Sequence, residues 1–539
     1  MRTMSYGDIY EAVYDLYDSE EGWEELVNVG DRDGINIGEE AIGRHGDSEE
    51  TALRIRDFGT GDLETYSFAE LNAAANRVAN YLAEHTPRGA RVVAMLPTRL
   101  ELYAVLFGAL KAGRVYVPMA PVFGPDAAGY RLGDAGASVF VTTPDHYDRV
   151  GHAVPEDVEH VLTVGGEADA DRTDSYDVVE GHSDAFETVD THPEDPFALS
   201  YTSGTTGQPK GVPMTHGDVP DLHAYVEFVV DLRPDDTYFV AASPAWSYGL
   251  VMGTLMPGIR GTAIGCYRGE FDGGMLMDTL ARLEVDNAMV PPTALRQLAQ
   301  AGVEAEGIDL RVLLAAGESL DEDSVGWCLD VLGTEPQDSY GLTEAGMSVC
   351  NYAFEDWEVK PGSMGRPLPG VDVELLDDDE EPVEQGEAGE ICIRREGGDG
   401  GSYWGKPQAS AEMFTGRWLH TDDLAREDED GYFWYVGRKD SVIVSAGYRI
   451  GPDEVEETLL KHDAVAEVAV VGAPDETRGE VVKAHITPTR EPSEGLAGEI
   501  QDFARETLSK HEYPREVEFH DELPKTATGK IARSDLEED

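Results

Sequence analysis

Lysine is scarce in this chain of 539 residues: ten Lys stand beside thirty-one Arg, against 107 Asp and Glu, for a formal charge of −66. Such a deficit of positive charge argues against free duplex binding or docking on an anionic membrane, since both need a basic face. Cysteine is equally sparse. Cys266, Cys328, Cys350 and Cys392 lie far apart with no C-x-x-C pair. That spacing argues against a disulfide framework or a Cys-based zinc site and fits a reducing cytoplasm. The N-terminal residues lack a basic segment followed by an apolar one, so no secretory leader is expected. Only one uncharged run, Thr237 to Ile259, has the length of a membrane span, and Pro244, Pro257 and several Gly interrupt it. A buried strand leading into a pocket wall is the expectation there, and no integral membrane segment. No repeat of 20–50 residues is visible.

What is abundant is dispersed acid. Asp and Glu are spread along the whole chain rather than gathered in a tail. With little Lys, this pattern predicts a halophilic-type protein, soluble in concentrated salt where screening relieves self-repulsion; an acidic partner-binding surface is the alternative. Hydrophobic residues at 41% supply a sizeable core despite 27% charge, which excludes wholesale disorder.

Alternating helix and strand patterns begin near Tyr66. Leu71, Ala75, Val78 and Leu82 share a helical face, and the strand-like run Arg91–Leu96 follows. Helical Leu100–Lys111 leads to Val115–Met119, and the alternation resumes after Phe197. This predicts an α/β fold with parallel, helix-flanked sheets. A Gly- and Asp-rich stretch around Leu376–Gly401 predicts a small β element. After the charged segment Gly437–Ser441 the rhythm changes to a compact α+β module, with Val455 and Leu459 one turn apart on a helix. Two domains are expected, 1–438 and 439–539, the second small and mobile about a charged hinge.

The sharpest local signal is Tyr201-Thr-Ser-Gly-Thr-Thr-Gly-Gln-Pro-Lys-Gly-Val212, directly after a buried-strand pattern. Gly204, Gly207 and Gly211 allow the backbone close to an anion. Thr202, Ser203, Thr205 and Thr206 add hydroxyls, and Lys210 adds a charge for phosphate oxygens. A Walker A loop is excluded, because Pro209 and Gly211 fall where its second Gly and its Ser/Thr belong.

Further motifs follow in order: Gly317-Glu318-Ser319, Asp338-Ser339-Tyr340-Gly341-Leu342-Thr343-Glu344, Thr421-Asp422-Asp423, Gly437-Arg438-Lys439-Asp440, Ala446-Gly447-Tyr448-Arg449 and Pro524-Lys525-Thr526-Ala527-Thr528-Gly529-Lys530. With them the chain resembles the adenylate-forming superfamily of acyl-CoA synthetases, luciferases and peptide-synthetase adenylation domains, from roughly Tyr66 to Arg533. The resemblance implies activation of a carboxylic acid by ATP and Mg2+ to an acyl-adenylate, then transfer to coenzyme A. By resemblance, Glu344 binds the metal, Tyr340 stacks on adenine, the turn Gly317–Ser319 flanks the base, and Thr343 meets the α-phosphate or the acyl carboxylate. Asp423 takes the ribose hydroxyls with Arg438 beside it. The usual Thr-Gly-Asp reads Thr421-Asp422-Asp423 here, so Asp422 competes for that role. Lys530 bridges carboxylate and phosphate during adenylation, and Asp440 is the hinge. A bare nucleotide- or acyl-binding protein is the remote alternative, opposed by the presence of Lys210, Glu344, Asp423 and Lys530 together.

Within the superfamily the C-terminal runs look most like medium-chain acyl-CoA synthetases. That resemblance places Ala446, Gly447, Tyr448, Arg449, Arg478, Tyr513 and Arg515 at coenzyme A. Arg478 and Arg515 are basic exceptions amid acidic neighbours, as phosphate ligands would be. Trp246 and Tyr248 would wall the acyl pocket. Gly341 stands where acetate-dedicated relatives place a bulky Trp, so a medium-chain acid is expected, with benzoate or another aryl acid, or acetate, as alternatives. The partners implied are small molecules, with no nucleic acid and an open oligomeric state.

Overall fold

The computed structural model describes residues 6–27, 34–166, 168, 171–202, 208–318, 320, 322–354, 357–394, 402–439, 441, 443–445, 448–475, 478–508, 512–525 and 531–537. Their contacts separate into two compact units. One comprises the described residues of Met1–Gly204, Gln208–Val371 and Gly397–Glu412; the other comprises those of Asp372–Glu396 and Met413–Asp539.

The first unit contains a seven-stranded sheet in the spatial order Asp174–Ser175, His160–Thr163, Ala137–Thr142, Arg91–Met95, Val115–Pro118, Pro196–Thr202 and Lys210–Thr215. All neighbours run parallel except the last pair. A six-stranded sheet runs Tyr238–Val240, Asn287–Met289, Val312–Ala316, Pro336–Leu342, Gly346–Cys350 and Arg366–Pro367. Its first four strands are parallel and its last two antiparallel. A third sheet joins Ile264–Arg268, Thr51–Asp57 and Leu63–Ser67.

Helix Phe68–His85 starts at Ser67, whose hydroxyl accepts from Glu70 N while the Glu70 carboxylate accepts from Ser67 N, at 3.2 and 2.9 Å. This reciprocal cap satisfies two otherwise orphaned donors. Leu71, Ala75, Val78 and Leu82 are buried on it, the face that the spacing predicts. Helix Leu100–Lys111 crosses it at Gly108, where a Cβ would stand 2.6 Å from Val78 Cβ. Only glycine permits that approach.

The run Thr237–Ile259 opens on the expected buried strand and then continues in helices. The strand is Tyr238–Val240, and after a connecting stretch the chain forms helical segments Ser247–Leu250, Val251–Leu255 and Met256–Arg260. Apolar residues on every side of these turns are buried, so the run has no one-sided pattern to reveal a helix. Among the described residues no helix is long and apolar enough to cross a membrane.

The second unit contains two sheets. In one, Val373–Leu376, Ala388–Arg394, Trp418–Glu427 and Phe414–Thr415 follow one another, and Phe433–Arg438 pairs with Trp418–Glu427; every pairing is antiparallel. In the other, the order is Tyr448–Ile450, Ile443–Ser445, Gly479–Pro488 and Val465–Asp475, with Glu516–Phe519 parallel to Gly479–Pro488. Helices Pro452–Leu460 and Glu494–Thr507 bury Val455, Leu459, Leu496 and Ile500 against Val468, Val470, Val482, Ala484 and Ile486. The expected division after Arg438 falls between these two sheets.

Candidate active site

Strand Pro196–Thr202 ends at Thr202, and the returning strand opens at Lys210 directly opposite it. The intervening Ser203, Gly204, Thr205, Thr206 and Gly207 lie outside the described residues. Thr202 donates its hydroxyl to Glu344 Oε1 at 3.2 Å, and Tyr403 donates to the same oxygen at 2.9 Å. Lys210 Nζ stands 4.7 Å from the Tyr403 ring centroid, a cation–π distance. Thr343, next to Glu344, shares a hydrogen bond of 3.0 Å with Ser247. A carboxylate, two hydroxyls and an ammonium therefore converge where two strands end. Hard oxygen donors of this kind fit Mg2+. Neither Tyr403 nor Ser247 stands in a motif, so spacing alone did not reveal them.

Asp338, Ser339, Tyr340 and Gly341 lie on strand Pro336–Leu342. Burial pushes the Asp338 carboxyl up to about 7, although the Ser339 N–H donates to it at 2.9 Å. Gly317 has φ +93° and, among the described residues, nothing within 4 Å of where a Cβ would stand, while Arg296 holds Glu318 at 2.8 Å and Thr293 donates to the same carboxylate. Ser319 lies outside the described residues. Gly341 has a packing role of its own. A Cβ there would meet Gly346 O at 2.5 Å and Met347 Cα at 2.8 Å. The strand turns back on itself at this point, with a register shift between Tyr340 and Gly341. Trp246 meets the Phe123 ring edge-on at 6.1 Å, and Tyr248 shares a 3.0 Å hydrogen bond with Tyr225. Burial drives the Tyr248 phenol well above its ordinary pKa.

In the second unit Asp423 lies opposite Arg438 on neighbouring strands, with Arg438 Nη1 at 3.8 Å. Tyr435, another residue no motif points to, donates to Asp423 Oδ1 at 3.0 Å. The side chain of Asp423 is 14% exposed and that of Asp422 63%. Asp422 also takes φ +59°, the left-handed conformation that accounts for glycine at this place in the usual motif.

The α+β module gathers Tyr513 with three guanidiniums. Arg515 donates to the Tyr513 hydroxyl at 3.0 Å, and the Arg505 and Arg515 guanidinium carbons stand 4.5 and 4.9 Å from its ring centroid. Arg505, assisted by Arg515 and Arg478, draws the phenol below its ordinary pKa. Arg505 lies on a helix rich in acid, and its sequence neighbourhood gives no hint of this grouping. Tyr448 and Arg449 belong to strand Tyr448–Ile450. Ala446, Gly447, Asp440 and Lys530 lie outside the described residues. On either side of Lys530, Lys525 bridges to Ile531 and reaches Glu467 at 2.7 Å, and Arg533 reaches Asp453 at 2.6 Å and Glu456 at 2.7 Å.

Comparison with known proteins shows the family. Residues 39–403 match the AMP-binding enzymes and residues 454–530 the AMP-binding enzyme C-terminal domain. Acetyl-coenzyme A synthetase of Bacillus subtilis (strain 168) is 36% identical over 516 residues, covering 93% of this chain and 89% of that protein. The mitochondrial acyl-coenzyme A synthetase ACSM3 of Rattus norvegicus is 30% identical, covering 99% and 96%. The crystal structure of the anthranilate CoA ligase AuaEII in complex with anthranoyl-AMP superposes with a TM-score of 0.83 at 29% identity, covering 93% and 96%. The chain belongs to the AMP-binding enzymes, the adenylate-forming superfamily, close to the medium-chain acyl-CoA synthetases. Its activity is that of an AMP-forming acid–thiol ligase acting on a carboxylic acid, ATP and coenzyme A.

Proposed function

We propose that this ligase activates an apolar carboxylic acid of medium chain length. The convergence of Thr202, Glu344, Tyr403 and Lys210 at one pair of strand ends carries the reading of the adenylation site. A carboxylate attacking the α-phosphate must overcome charge repulsion, and pyrophosphate departs as an anion. Lys210, and Lys530 from the C-terminal loop, offset those charges. Glu344 is the residue to hold Mg2+, which supplies charge neutralisation on the phosphates when bound. Thr343 orients the α-phosphate or the acyl carboxylate through its hydroxyl.

The loop from Ser203 to Gly207 cradles phosphate, with Thr202 at its entry. Tyr340, Asp338, Ser339 and the turn Gly317–Ser319 serve the adenine, and Asp423 with Arg438 serves the ribose. Arg478, Arg515 and Tyr513, joined by Arg505, meet the phosphates of coenzyme A; Ala446, Gly447, Tyr448 and Arg449 line its approach. Residues 439–539 turn about Asp440 between the two half-reactions. Trp246 and Tyr248, with the Gly341 backbone, bound the acyl end. The acidic surface reads as adaptation to concentrated salt in a reducing cytoplasm.

Acetate is the second reading, favoured by the 36% identity to a protein named acetyl-coenzyme A synthetase. Pyrophosphate release from ATP, measured with acetate, octanoate and benzoate with and without coenzyme A, tests both. Octanoate should give the highest kcat/KM. A preference for acetate would overturn the medium-chain reading, and release of no pyrophosphate with any acid would overturn the catalytic one.

A further inference from the structure

Two groups of metal-ligating side chains stand outside the site above, among the described residues: His485, Glu518 and His520, and Glu390, Cys392 and His420. Tetrahedral Zn2+ bonds imidazole nitrogen and carboxylate oxygen at about 2.0–2.2 Å and thiolate sulfur at about 2.3 Å. Two nitrogens on one ion are then about 3.3 Å apart, nitrogen and oxygen about 3.3 Å, and nitrogen and sulfur about 3.6 Å. The first group does not match. His485 Nδ1 and His520 Nε2 are 2.8 Å apart, a hydrogen-bond length, while Glu518 stands 4.0 and 3.8 Å from them and binds Lys483 at 2.8 Å.

The second group matches in both separations made by its imidazole nitrogen, with all three ligand atoms within 4.8 Å of one another. Cys392 lies opposite His420 on neighbouring strands, with Sγ and Nδ1 3.5 Å apart. Glu390, two residues earlier and on the same face as Cys392, places Oε2 3.2 Å from that nitrogen. Cys392 and Glu390 are buried, and the other ring nitrogen of His420 faces Glu380 Oε1 at 3.9 Å. That is beyond hydrogen-bond length, and Nε2 has no hydrogen-bond partner among the described residues; it is Nδ1, held between Glu390 and Cys392, that is placed for a metal. Lys439 Nζ already brings a positive charge here, 3.3 Å from Glu390 Oε2 and 3.1 Å from Asp378.

We propose that Glu390, Cys392 and His420 form a binding site for a borderline-soft divalent cation of the Zn2+ class, with water in the fourth position. On binding, the Cys392 thiol gives its proton to solvent and the Sγ–metal bond forms. Lys439 withdraws from Glu390 and keeps Asp378. One thiolate, one imidazole and one carboxylate select Zn2+ or Co2+ over Mg2+ or Ca2+, which take oxygen ligands. The cysteine spacing could not show this, because two of the three ligands are not cysteine and His420 arrives from another strand.

Co2+ is the probe, added to the full-length protein in concentrated KCl with excess Mg2+ to occupy the surface carboxylates. One equivalent should produce a thiolate-to-cobalt charge-transfer band together with visible bands of tetrahedral intensity, and Zn2+ should bleach both. Cys392→Ser should abolish the charge-transfer band, and His420→Gln should weaken Co2+ binding about tenfold or more. His520→Gln should change neither. Absence of the band in the wild type, its survival in Cys392→Ser, or unaltered affinity in His420→Gln would overturn the assignment. The wild-type titration decides the matter even if a variant fails to fold.

Discussion

Thr202 donates its hydroxyl to Glu344 across 3.2 Å although 142 positions separate them in the chain, and Tyr403 donates to the same oxygen from a third segment. The carboxylate is thus oriented from two sides. Glu344→Gln keeps the shape and removes the charge. Acyl-adenylate formation should fall by about 10²-fold or more, as losses of charge-stabilising groups do, and the Mg2+ concentration for half-maximal rate should rise. Tyr403→Phe should cost about tenfold, near 1.4 kcal/mol. Pyrophosphate release across a Mg2+ titration measures both. An unchanged Mg2+ requirement in Glu344→Gln would remove the metal role from this residue.

Asp422 and Asp423 are separable by the same logic. Asp423 is enclosed by Tyr435 and Arg438, whereas Asp422 is exposed at φ +59°. Asp423→Ala should raise KM for ATP at least tenfold. Asp422→Gly should leave KM within about twofold and should not destabilise the protein, because glycine accepts the left-handed backbone more readily. The reverse pattern of KM values would hand the ribose role to Asp422.

Legibility followed the kind of signal involved. Phe68–His85 and Pro452–Leu460 were readable because apolar spacing, and in the second a leading proline, act locally. Thr202, Lys210 and Glu344 were readable because their motifs are dense. Tyr403, Ser247, Tyr435 and Arg505 were not, since each acquires its partner only when distant strands and helices come together. The helical turns that follow the strand Tyr238–Val240 were not legible for a related reason: a helical stretch buried on all sides has lost the alternation of apolar and polar residues that marks a helix.

The three arginines around Tyr513 predict a split between half-reactions. Arg505→Ala, Arg478→Ala and Arg515→Ala should each raise KM for coenzyme A about five- to tenfold while leaving CoA-independent pyrophosphate release unchanged. Lys530→Ala should do the opposite, abolishing adenylation but sparing thioester formation from a supplied acyl-adenylate. Equal damage to both half-reactions by Arg505→Ala would show that the residue only supports the module.

Asp338 gives stability a pH dependence. Burial raises its folded pKa from 3.8 to about 7, so between those values the folded state holds a proton that the unfolded chain has released. Stability contributed by this group is therefore full below pH 4 and declines as pH rises towards 7, by at most about 1.4 kcal/mol per pH unit. Asp338→Asn removes the titration. The Tm difference, variant minus wild type, should grow from pH 5 to pH 7 and level off above it. A constant difference would mean the carboxyl is ionised throughout that range.

Gly341 tests the acyl reading most directly, and packing changes what its substitution should do. A Cβ at this position would lie 2.5 Å from Gly346 O and 2.8 Å from Met347 Cα. Both are backbone atoms of the returning strand and cannot swing aside. Gly341→Ala should therefore cost about 1–3 kcal/mol of stability, the usual range for overpacking. It should lower kcat/KM for acetate, octanoate and benzoate in the same proportion, because the disturbed strand carries Tyr340 and leads to Glu344. Selectivity between acids should respond instead to Trp246. Each methylene that loses burial costs about 0.8 kcal/mol, or roughly fourfold, so Trp246→Ala should penalise octanoate far more than acetate. Measuring kcat/KM for the three acids and Tm in both variants separates the accounts. If Gly341→Ala left Tm unchanged and cost octanoate ten times more than acetate, the missing side chain would be the floor of the acyl pocket, and close strand approach would not be why glycine stands there.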